Sequence, residues 1–399
     1  MQRTHETMDI QPERNWLCQW GWQENEPLPT AAYVHIPFCR HRCGYCNFSL
    51  LANRADLYDR FLSALEIELS ELLLPRPVET IFLGGGTPSI LPSDSMARLL
   101  SMLQRWLPMS PNGEYSMEVN PLDVTYDFCR QIASLGVTRL SIGGQSFQPW
   151  KLKQLERDHS PEQLIASVEL AMQHFSSVSI DLIFAAPNET LAGWQSDLKM
   201  AVGLGVQHIS TYGLTYEKGA RFWGMRERHE IESIPEELEL DLYKEAIDSL
   251  TNNGLEHYEI SNFGKPGHQC RHNQNYWQGK PWWAFGPSAA RYVGGIRSVN
   301  HRGTLEYIRR VEQHRFPVDE FEPLSQEQMV REKFVFGMRQ LAGVDWASLK
   351  SDTDTSTGAS IEMAIQRHIV AGWMIRDGRI VRLTRDGLFI SDALWSEYL

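Results

Sequence analysis

The sequence lacks the features of a membrane protein and of a strongly basic nucleic-acid-binding protein. Its 399 residues contain no apolar run near the roughly 20 residues that a membrane-spanning helix needs. The formal net charge of -12 argues against chain-wide binding to nucleic acid or anionic lipid. The N-terminal stretch is polar and of mixed charge, unlike a secretory signal. We therefore expect a cytoplasmic protein that does not bind nucleic acid.

Cysteine is also scarce, and half of the cysteines lie in one short segment. The six are Cys18, Cys39, Cys43, Cys46, Cys129 and Cys270. Because the expected compartment is reducing, the group at 39–46 indicates metal or redox chemistry rather than disulfides. Its spacing is C-x3-C-x2-C, and Phe48 stands where a fourth thiol could follow. The sequence has no second C-x-x-C pair.

Three thiols and no fourth favour an iron–sulfur cluster over zinc. A structural zinc ion takes four ligands, so His35, His41 or distant Cys270 would have to complete its site. The other interpretation is a [4Fe-4S] cubane held by three thiolates, with one iron left open for a substrate. In that case Tyr45 and Phe48 belong to an apolar wall that shields the cluster from water. A zinc-stabilised α/β protein is the simpler alternative.

Short apolar runs alternate with amphipathic segments along the first part of the chain. Strands are predicted over 31–38, 78–86, 115–121, 136–144, 177–187 and 207–216. Helices are predicted over 54–75, 93–107, 123–134, 161–175 and 190–203. This alternation predicts an α/β fold in which six parallel strands form a partial (β/α)6 barrel. Because such sheets bind ligands at the carboxyl ends of their strands, the cysteines and "GGGTPS" fall at the expected functional edge.

Changes in composition divide the chain into four predicted segments. These are an N-terminal extension (1–30), the barrel (31–230), a flanking region with the "HNQNYW" element (231–324) and a C-terminal winged-helix-like module (325–399). In the module, a polar loop at 351–360 separates two helical patterns, and a hairpin turns at Asp377-Gly378. Alternating arginines on this hairpin are typical of a solvated face.

Polar side chains lie at the same edge as the cysteines. Glu118, Gln145 and Asp181 lie at or just after predicted strands, and Arg157 follows the fourth strand. A carboxylate within an apolar strand is costly unless it is paired or functional. Each residue alone fits a salt-bridged core position. Together they fit the polar lining of a ligand site, in which Arg157 would pair with a carboxylate.

The cysteine motif, with an aromatic residue before its last cysteine, resembles the signature of radical S-adenosylmethionine (SAM) enzymes. In that superfamily the open iron is chelated by the amino and carboxylate groups of SAM, and the reduced cluster cleaves the sulfonium to a 5′-deoxyadenosyl radical. The wider pattern resembles the oxygen-independent coproporphyrinogen III dehydrogenase (HemN) lineage. Its motifs here are "YVHIPFC", "CGYCNF", "IFLGGGTPS", "MEVNP", "LSIGGQSF", "IDLIFAAP" and "HNQNYW".

The resemblance covers the chain from about Tyr33 onward and implies its site residues by position. The implied cluster ligands are Cys39, Cys43 and Cys46. The implied SAM-binding residues are Tyr33, Tyr45, Gly85, Gly86, Thr87, Glu118, Gln145, Arg157 and Asp181. The candidates for haem binding are His272, Cys270, Tyr276 and Trp277, with Trp282 and Trp283 as further rings that could stack on a porphyrin. A packed aromatic core is the alternative for those rings.

Phe48 and "HNQNYW" separate two branches of this lineage. The dehydrogenases carry a fourth cysteine, whereas this chain resembles the HemW branch of haem chaperones, which bind haem and deliver it to haem-dependent proteins. We therefore expect a chaperone, and the alternative is a dehydrogenase of porphyrin biosynthesis. The implied partners are haem or porphyrin, haem-accepting proteins (some reached by peripheral contact at membranes) and an electron donor. One departure is Ala290, which stands where the branch usually has a histidine.

Overall fold

The structure is a computed structural model that describes residues 16–23 and 27–399. Its centre is a nine-stranded sheet. Six parallel strands lie side by side in chain order: β1 (Ala31–Ile36), β2 (Val78–Gly85), β3 (Met109–Val119), β4 (Arg139–Gln145), β5 (Ser177–Phe184) and β6 (His208–Gly213). All six predicted strands are therefore confirmed, and with them the α/β fold.

Helices connect these strands and cover the outer face of the sheet. They are α1 (Tyr58–Ser70), α2 (Ser93–Trp106), α3 (Tyr126–Ser134), α4 (Pro149–Gln154), α5 (Pro161–His174) and α6 (Leu191–Gly203). The start of α5 shows how the sequence sets an element boundary. Ser160 and Gln163 form a reciprocal capping box, and Pro161 occupies the first turn, where its missing N–H costs nothing.

The two faces of the sheet differ because side chains alternate along each strand. Val34, Leu83 and Met117 belong to the large apolar core that the helices cover. The alternate positions carry polar side chains toward the inner face. Glu118 pairs in register with Ser141, and Asp181 pairs with Ser210. The barrel interior is therefore polar and can line a ligand site.

The flanking region adds three strands to the same sheet. β7 (Glu256–Glu259) and β8 (Asn262–Gly264) extend it in antiparallel fashion beyond β6, and β9 (Trp283–Phe285) pairs in parallel with β1. The helices of this region are α7 (Arg221–Glu227), α8 (Glu236–Asn252) and α9 (Arg271–Trp277). The sequence analysis predicted none of these three strands.

Part of the predicted N-terminal extension belongs to the core. A helical turn at Trp16–Gln19 leads into Trp20, which is fully buried. The Trp20 ring packs edge-on against Trp283 and Phe285 at 6.0 and 5.9 Å. Residues 1–15 and 24–26 of the extension lie outside the described residues. The boundaries of the four segments stay predictions.

A second, antiparallel sheet lies between the barrel and the C-terminal module. It consists of β10 (Ala290–Val293), β11 (Ile296–Asn300) and β12 (Val318–Pro323), with α10 (Thr304–Glu312) inserted before the last strand. The buried carboxylate of Glu68 on α1 accepts hydrogen bonds from Arg291 and Asn300 of this sheet and from Tyr307 of α10. This network fastens the second sheet to the barrel.

The C-terminal module has its own core and a winged arrangement. Its elements are α11 (Gln326–Gly337), β13 (Val344–Asp345), α12 (Trp346–Ser351), α13 (Thr355–Val370), β14 (Met374–Asp377), β15 (Ile380–Leu383), α14 (Arg385–Phe389) and α15 (Ser391–Leu394). The predicted hairpin is confirmed, and Gly378 has φ +57° in its turn. Arg376 and Arg379 pair with Glu362 and Asp345, as expected of a solvated face.

The predicted loop at 351–360 was wrong over its second half. Helix α13 begins at Thr355 because the Asp354 side chain accepts hydrogen bonds from the amides of Ser356 and Thr357, at 2.8 and 3.0 Å. Asp354 is therefore an N-cap that the run of small polar residues disguised. Among the helices of the described residues, none combines the length and apolar character required to cross a bilayer.

Candidate functional site

The cysteine loop and the glycine motif lie against each other at the carboxyl ends of β1 and β2. The amides of Gly86 and Thr87 donate to the carbonyls of Ile36 and Phe38, at 2.8 and 2.7 Å. The Sγ of Cys39 lies 3.4 Å from the Oγ1 of Thr87. Two motifs that are about forty residues apart in sequence thus form one surface at the edge where parallel sheets bind ligands.

The three loop cysteines are free thiols that lie close enough to affect one another. Burial, together with the neighbouring Cys46 and Cys43, raises the pKa of the Cys39 thiol to about 11. Among the described residues, no three His, Cys, Asp or Glu side chains converge as ligands of a single ion. In a cubane each thiolate binds a different iron, so its sulfurs are spread more widely. The donor set therefore fits a cluster better than zinc.

A turn at Glu156 and Arg157 holds the cysteine loop in place. The Gly44 amide donates to the Glu156 carboxylate at 2.8 Å, and the Nε2 of His41 lies 2.6 Å from the Glu156 carbonyl oxygen. Arg157 Nη1 donates to the Sγ of Cys43 at 3.6 Å. These contacts fix the loop from its outer side, with a cation against the buried thiol.

Arg157 keeps one donor free for a ligand. Its Nη2 donates to the Gly143 carbonyl at 3.0 Å, whereas its buried Nε has no partner in the structure. A buried donor without a partner costs about 1–3 kcal/mol, so such a group indicates a site that a ligand or water completes. A carboxylate next to this guanidinium meets that need.

Two partly buried carboxyl groups lie at the same edge. The Oε2 of Glu118 accepts from the Gly85 amide at 3.1 Å, and the Ser141 hydroxyl donates to Asp181 at 3.0 Å. Burial, with a smaller effect from nearby Asp181, raises the pKa of Glu118 to about 8. Two acidic groups that share an enclosed space favour a cationic ligand, such as an ammonium or a sulfonium.

The glycine motif is shaped by close packing and offers acceptors. Gly85 has φ +103°, and a Cβ there would lie 2.3 Å from the Nδ1 of His35. A Cβ on Gly86 would lie 2.6 Å from the Phe38 carbonyl oxygen. Since the amides of Gly85, Gly86 and Thr87 already have partners inside the protein, the capacity left to this loop is in carbonyl oxygens, which suit an ammonium.

Gln145 has a strained backbone at the end of β4. Its φ is +65°, in a region that favours glycine, and the register with β5 shifts between Ile142 and Gln145. Strained residues of this kind cluster at ligand sites. Tyr33 and Tyr45 complete the predicted set: the Tyr33 hydroxyl lies 3.1 Å from the Nδ1 of His35, and the Tyr45 ring packs against Phe222. The predicted SAM-binding residues thus lie around one edge, and their roles stay predictions.

Phe48 does not shield the cysteine loop, and that interpretation was wrong. Its side chain is 61% exposed, because the residue lies on the rim of the loop rather than beneath it. The buried aromatic residue of this segment is Phe38, whose ring packs against Tyr58 and Phe61 in the core. Phe48 instead lines a cavity of about 390 Å³, together with Tyr33, His35, Asn47, Ser49, Tyr276, Trp277, Trp282, Ser288, Ala290, Arg302 and Phe336.

The haem candidates divide into two groups. Tyr276, Trp277 and Trp282 line the cavity. Trp283, by contrast, is fully buried in β9, so it cannot stack on a ligand in the cavity. For this ring the packed-core alternative is correct.

The side chains of His272 and Cys270 are buried, and their possible ligand atoms already form hydrogen bonds. The Nδ1 of His272 lies 3.0 Å from the Thr80 hydroxyl, and its Nε2 lies 2.8 Å from the Tyr276 hydroxyl. The Cys270 thiol donates to Glu114 at 3.6 Å. Glu114 lies four positions before Glu118 on β3, roughly 13 Å below the functional edge at about 3.3 Å per residue. Neither side chain presents a free ligand atom to the cavity in this conformation.

Some residues that support the cysteine loop or line the cavity escaped the sequence analysis, or were considered there only as a possible zinc ligand. Arg42 donates to the carbonyls of Phe48 and Leu50, at 3.0 and 3.1 Å, and so ties the end of the cysteine loop to its start. The Nε2 of His35 lies 2.7 Å from the Ser49 carbonyl oxygen. The charged residues of "CRHRC" were a visible signal for Arg42. Arg302 had none, because it reaches the cavity from a distant part of the chain.

The partial barrel, the three-cysteine loop and the polar edge define a protein of the radical SAM class. Residues 33–201 match the family model of the radical SAM superfamily, and residues 324–390 match that of the HemN C-terminal domain. The solved structure of coproporphyrinogen III oxidase (HemN) from Escherichia coli superimposes with a TM-score of 0.82 over 93% of this chain and 90% of that one. At 22% identity this likeness shows the shared fold.

Sequence relatives narrow the class further. Heme chaperone HemW from Bacillus subtilis (strain 168) is 30% identical over 374 residues, which cover 92% of this chain and 99% of that protein. Heme chaperone HemW from Synechocystis sp. is 34% identical over 341 residues, 82% of each chain. The chain therefore belongs to the HemW family of radical SAM proteins.

Proposed function

We propose that this protein is a haem chaperone, which binds haem in the cavity beside a SAM-coordinated [4Fe-4S] cluster and delivers it to haem proteins. The observation that carries the proposal is the position of Phe48. This residue stands in place of a fourth thiol and lines the cavity together with Tyr276 and Trp282. The cysteine loop thereby forms one wall of an aromatic-lined space, which suits a flat apolar macrocycle. The names of the relatives agree with this proposal.

The cavity also offers charge for the ends of a porphyrin. Arg302 lines it, with its guanidinium 3.4 Å from the Asn47 carbonyl oxygen. An exposed arginine at this position can pair with a propionate carboxylate. The cavity volume of about 390 Å³ is within the usual range for ligand pockets, about 300–1,000 Å³. Part of the macrocycle would remain outside the cavity. This suits a ligand that must be transferred to another protein.

The residues at the carboxyl edge would hold the cluster and SAM. Cys39, Cys43 and Cys46 supply the thiolates, and the bound group supplies one-electron reductive chemistry. Arg157 pairs with the carboxylate of SAM through its free Nε, and Glu118 accepts from a cationic group. The haem-accepting partner, the electron donor and the cytoplasmic location expected from the sequence belong to this proposal.

Haem titration of anaerobically reconstituted protein tests the proposal. We expect saturable binding at one haem per chain, followed by the Soret band. Phe48→Ala should weaken binding by about 2- to 12-fold, because a stacked ring contributes about 0.5–1.5 kcal/mol. Phe321→Ala, which removes an exposed ring on β12 outside the cavity, should leave binding unchanged. A wild-type titration without saturation would overturn the chaperone proposal.

A dehydrogenase is the second candidate function. Gln145, Arg157 and Asp181 match positions that contact SAM in HemN-like proteins, some of them around a second SAM. All three lie at the functional edge here. Incubation with coproporphyrinogen III, SAM and a reductant, followed by mass analysis, separates the two functions. Protoporphyrinogen formed over several turnovers would establish the dehydrogenase, and its absence from protein with an intact cluster would favour the chaperone.

A further inference from the structure

We propose that the phenolic oxygen of Tyr276 is the axial ligand of the haem iron, with His272 as the positioning residue behind it. This inference rests on the proposed function and concerns the same cavity. The hydrogen bond between the Tyr276 hydroxyl and the Nε2 of His272, 2.8 Å long, is the observation from which it starts. The two residues lie four positions apart on α9, one turn of helix, so their side chains share a face.

Other ligand atoms near the cavity are already in use. An imidazole nitrogen has one lone pair or one proton, so a hydrogen bond occupies it. His272 has both nitrogens engaged, and so does His35, with Tyr33 and Ser49 as its partners. The Cys270 thiol bonds Glu114, and neither of these residues lines the cavity. Ala290 lines the cavity without any ligand atom.

A phenolic oxygen differs because it has two lone pairs. It can accept a hydrogen bond from His272 and still bind iron with the second pair. Tyrosine is an established type of haem ligand. Tyr276 therefore presents a usable ligand atom to this cavity despite its hydrogen bond, whereas His272 does not. Tyr33, the other phenol of the lining, is bonded to His35 and is the one expected to contact SAM.

The surroundings hold Tyr276 and His272 in this geometry. The His272 ring stacks on Phe82 at 5.3 Å and is tied to the Thr80 hydroxyl. The Tyr276 ring packs edge-on against His272 and Trp282, at 4.9 and 4.7 Å. Orienting partners of this kind fix the direction of a metal ligand and raise its affinity. The pair is thus oriented before haem arrives.

The protons balance in a simple way. In the tautomer that this inference requires, the Thr80 hydroxyl donates to the Nδ1 of His272, and the Nε2–H donates to the Tyr276 oxygen. On binding, the iron–oxygen bond forms, the O–H bond breaks and the proton passes to solvent, while the iron keeps its oxidation state.

Spectroscopy of the ferric haem complex of the full chain tests the proposal. Resonance Raman spectra of the wild-type complex should contain phenolate ring modes coupled to the iron–oxygen charge-transfer transition. Tyr276→Phe should remove these modes and weaken haem binding by about 100-fold or more. His272→Ala should keep the modes and weaken binding about 10- to 100-fold, the usual cost of losing a partner that orients a metal ligand. Tyr292→Phe, on the far side of Trp282, is the matched control and should change neither result.

The outcomes separate this inference from the proposed function. A wild-type complex that binds haem saturably but lacks phenolate modes overturns the tyrosine ligand and leaves the chaperone intact. So does a His272→Ala variant that loses the wild-type ligand spectrum while Tyr276→Phe keeps it. A wild type that binds no haem overturns both. An unchanged cluster EPR spectrum in each variant verifies folding, and the wild-type spectrum remains a test if a variant does not fold.

Discussion

Arg157 shows how one side chain joins the cluster loop to the ligand site. Its guanidinium touches the Cys43 thiol and the Gly143 carbonyl and keeps a buried Nε–H without a partner. A lysine retains the charge but concentrates it at one point. Its ammonium group therefore cannot contact the Cys43 thiol, the Gly143 carbonyl and a ligand at the same time. The loop itself has other supports, including the Gly44 amide bond to Glu156. We therefore expect cluster assembly and SAM binding to depend on Arg157 to different degrees.

We expect Arg157→Lys to assemble the cluster but to lose most of its response to SAM. SAM affinity should fall about 10- to 100-fold, as for other residues that orient a ligand at a metal site. The measurement is anaerobic EPR of the reduced protein as SAM is added. Arg98→Lys, an exposed change on α2, should titrate like the wild type. A normal SAM titration in Arg157→Lys would remove Arg157 from the SAM site.

Glu118 should make the stability of the metal-free protein depend on pH. Its pKa is raised by burial from 4.5 to about 8, so the folded state holds a proton that the unfolded state has released. This contribution is complete below pH 4.5, declines by up to about 1.4 kcal/mol per pH unit, and is lost once the pH reaches about 8. Buried histidines with lowered pKa values, such as His35 and His257, act in the opposite direction below pH 6.5, so urea unfolding at pH 5, 6, 7 and 8 should show the decline as a difference from Glu118→Gln.

Glu118→Gln supplies the control for this pH dependence. The amide imitates the neutral acid and can still accept from the Gly85 amide, so the variant should lose less stability between pH 5 and 8 than the wild type. Asp181 and Glu259, whose pKa values burial also raises, will leave part of the slope in place. Identical slopes in both proteins would show that Glu118 is ionised at neutral pH.

For single residues, the sequence pattern predicts positions within short motifs, whereas only the structure shows which distant side chains a residue contacts. Cys39, Cys43, Cys46 and Gly85 could be placed from the sequence because short motifs after strands fix their position at the sheet edge. The state of His272 could not, because its partners Thr80 and Tyr276 come from separate elements. Phe48 was misplaced for a related reason: composition predicts that an aromatic residue is buried, but the loop path decides which one.

Among the elements, α1 and α10 are joined by two contacts of opposite character. Inside, Glu68 accepts from the Tyr307 hydroxyl and from Arg291, with both side chains of the ion pair fully buried. Outside, Arg60 forms an exposed ion pair with Glu312 at 2.6 Å. Desolvation makes a buried charge depend on its partner far more than an exposed one does. Substitutions of Glu68 and of Glu312 therefore compare a buried contact with an exposed one in the same pair of helices.

We expect Glu68→Ala to destabilise the protein by about 3–5 kcal/mol, because it leaves Arg291 buried without its counter-charge. Glu312→Ala removes an exposed partner from the same pair of helices and should cost at most about 1 kcal/mol. Urea unfolding followed by circular dichroism measures both values. Equal costs for the two variants would show that the second sheet is held by its apolar contacts instead.

Two of the elements that escaped prediction did so each for its own physical reason. β9 is three residues long and pairs with β1 about 250 positions away, so no local periodicity marks it. The six barrel strands are long, β-branched and regularly spaced, and they were visible. Helix α13 carried a signal in Asp354, an acidic residue before small polar ones, which the loop-like composition outweighed. Sequence pattern alone therefore predicts long-range strand pairing and helix caps least well.

For the whole molecule, the cavity matters because three parts of the chain build it. Tyr33 comes from the barrel, Tyr276 from the flanking region and Phe336 from the C-terminal module. The module docks through backbone hydrogen bonds, from Ile260 to the Arg339 carbonyl and from Leu341 to the Tyr258 carbonyl. Its placement therefore contributes to the width of the cavity, whereas the cysteine loop is held by Glu156 and Arg42, which lie outside the module. Haem affinity and cluster assembly should respond separately to changes in the module.

Phe336→Ala tests this separation. Removing the ring from one wall should weaken haem binding by about 2- to 12-fold, the scale of one aromatic contact, while iron and sulfide content and the SAM response stay at wild-type values. Val335→Ala, the neighbouring buried residue that does not line the cavity, should destabilise the module without changing haem affinity. If both variants lowered haem affinity alike, module stability rather than the Phe336 wall would control binding. If neither did, haem would bind away from the module, and the cavity would have to be assigned to another ligand.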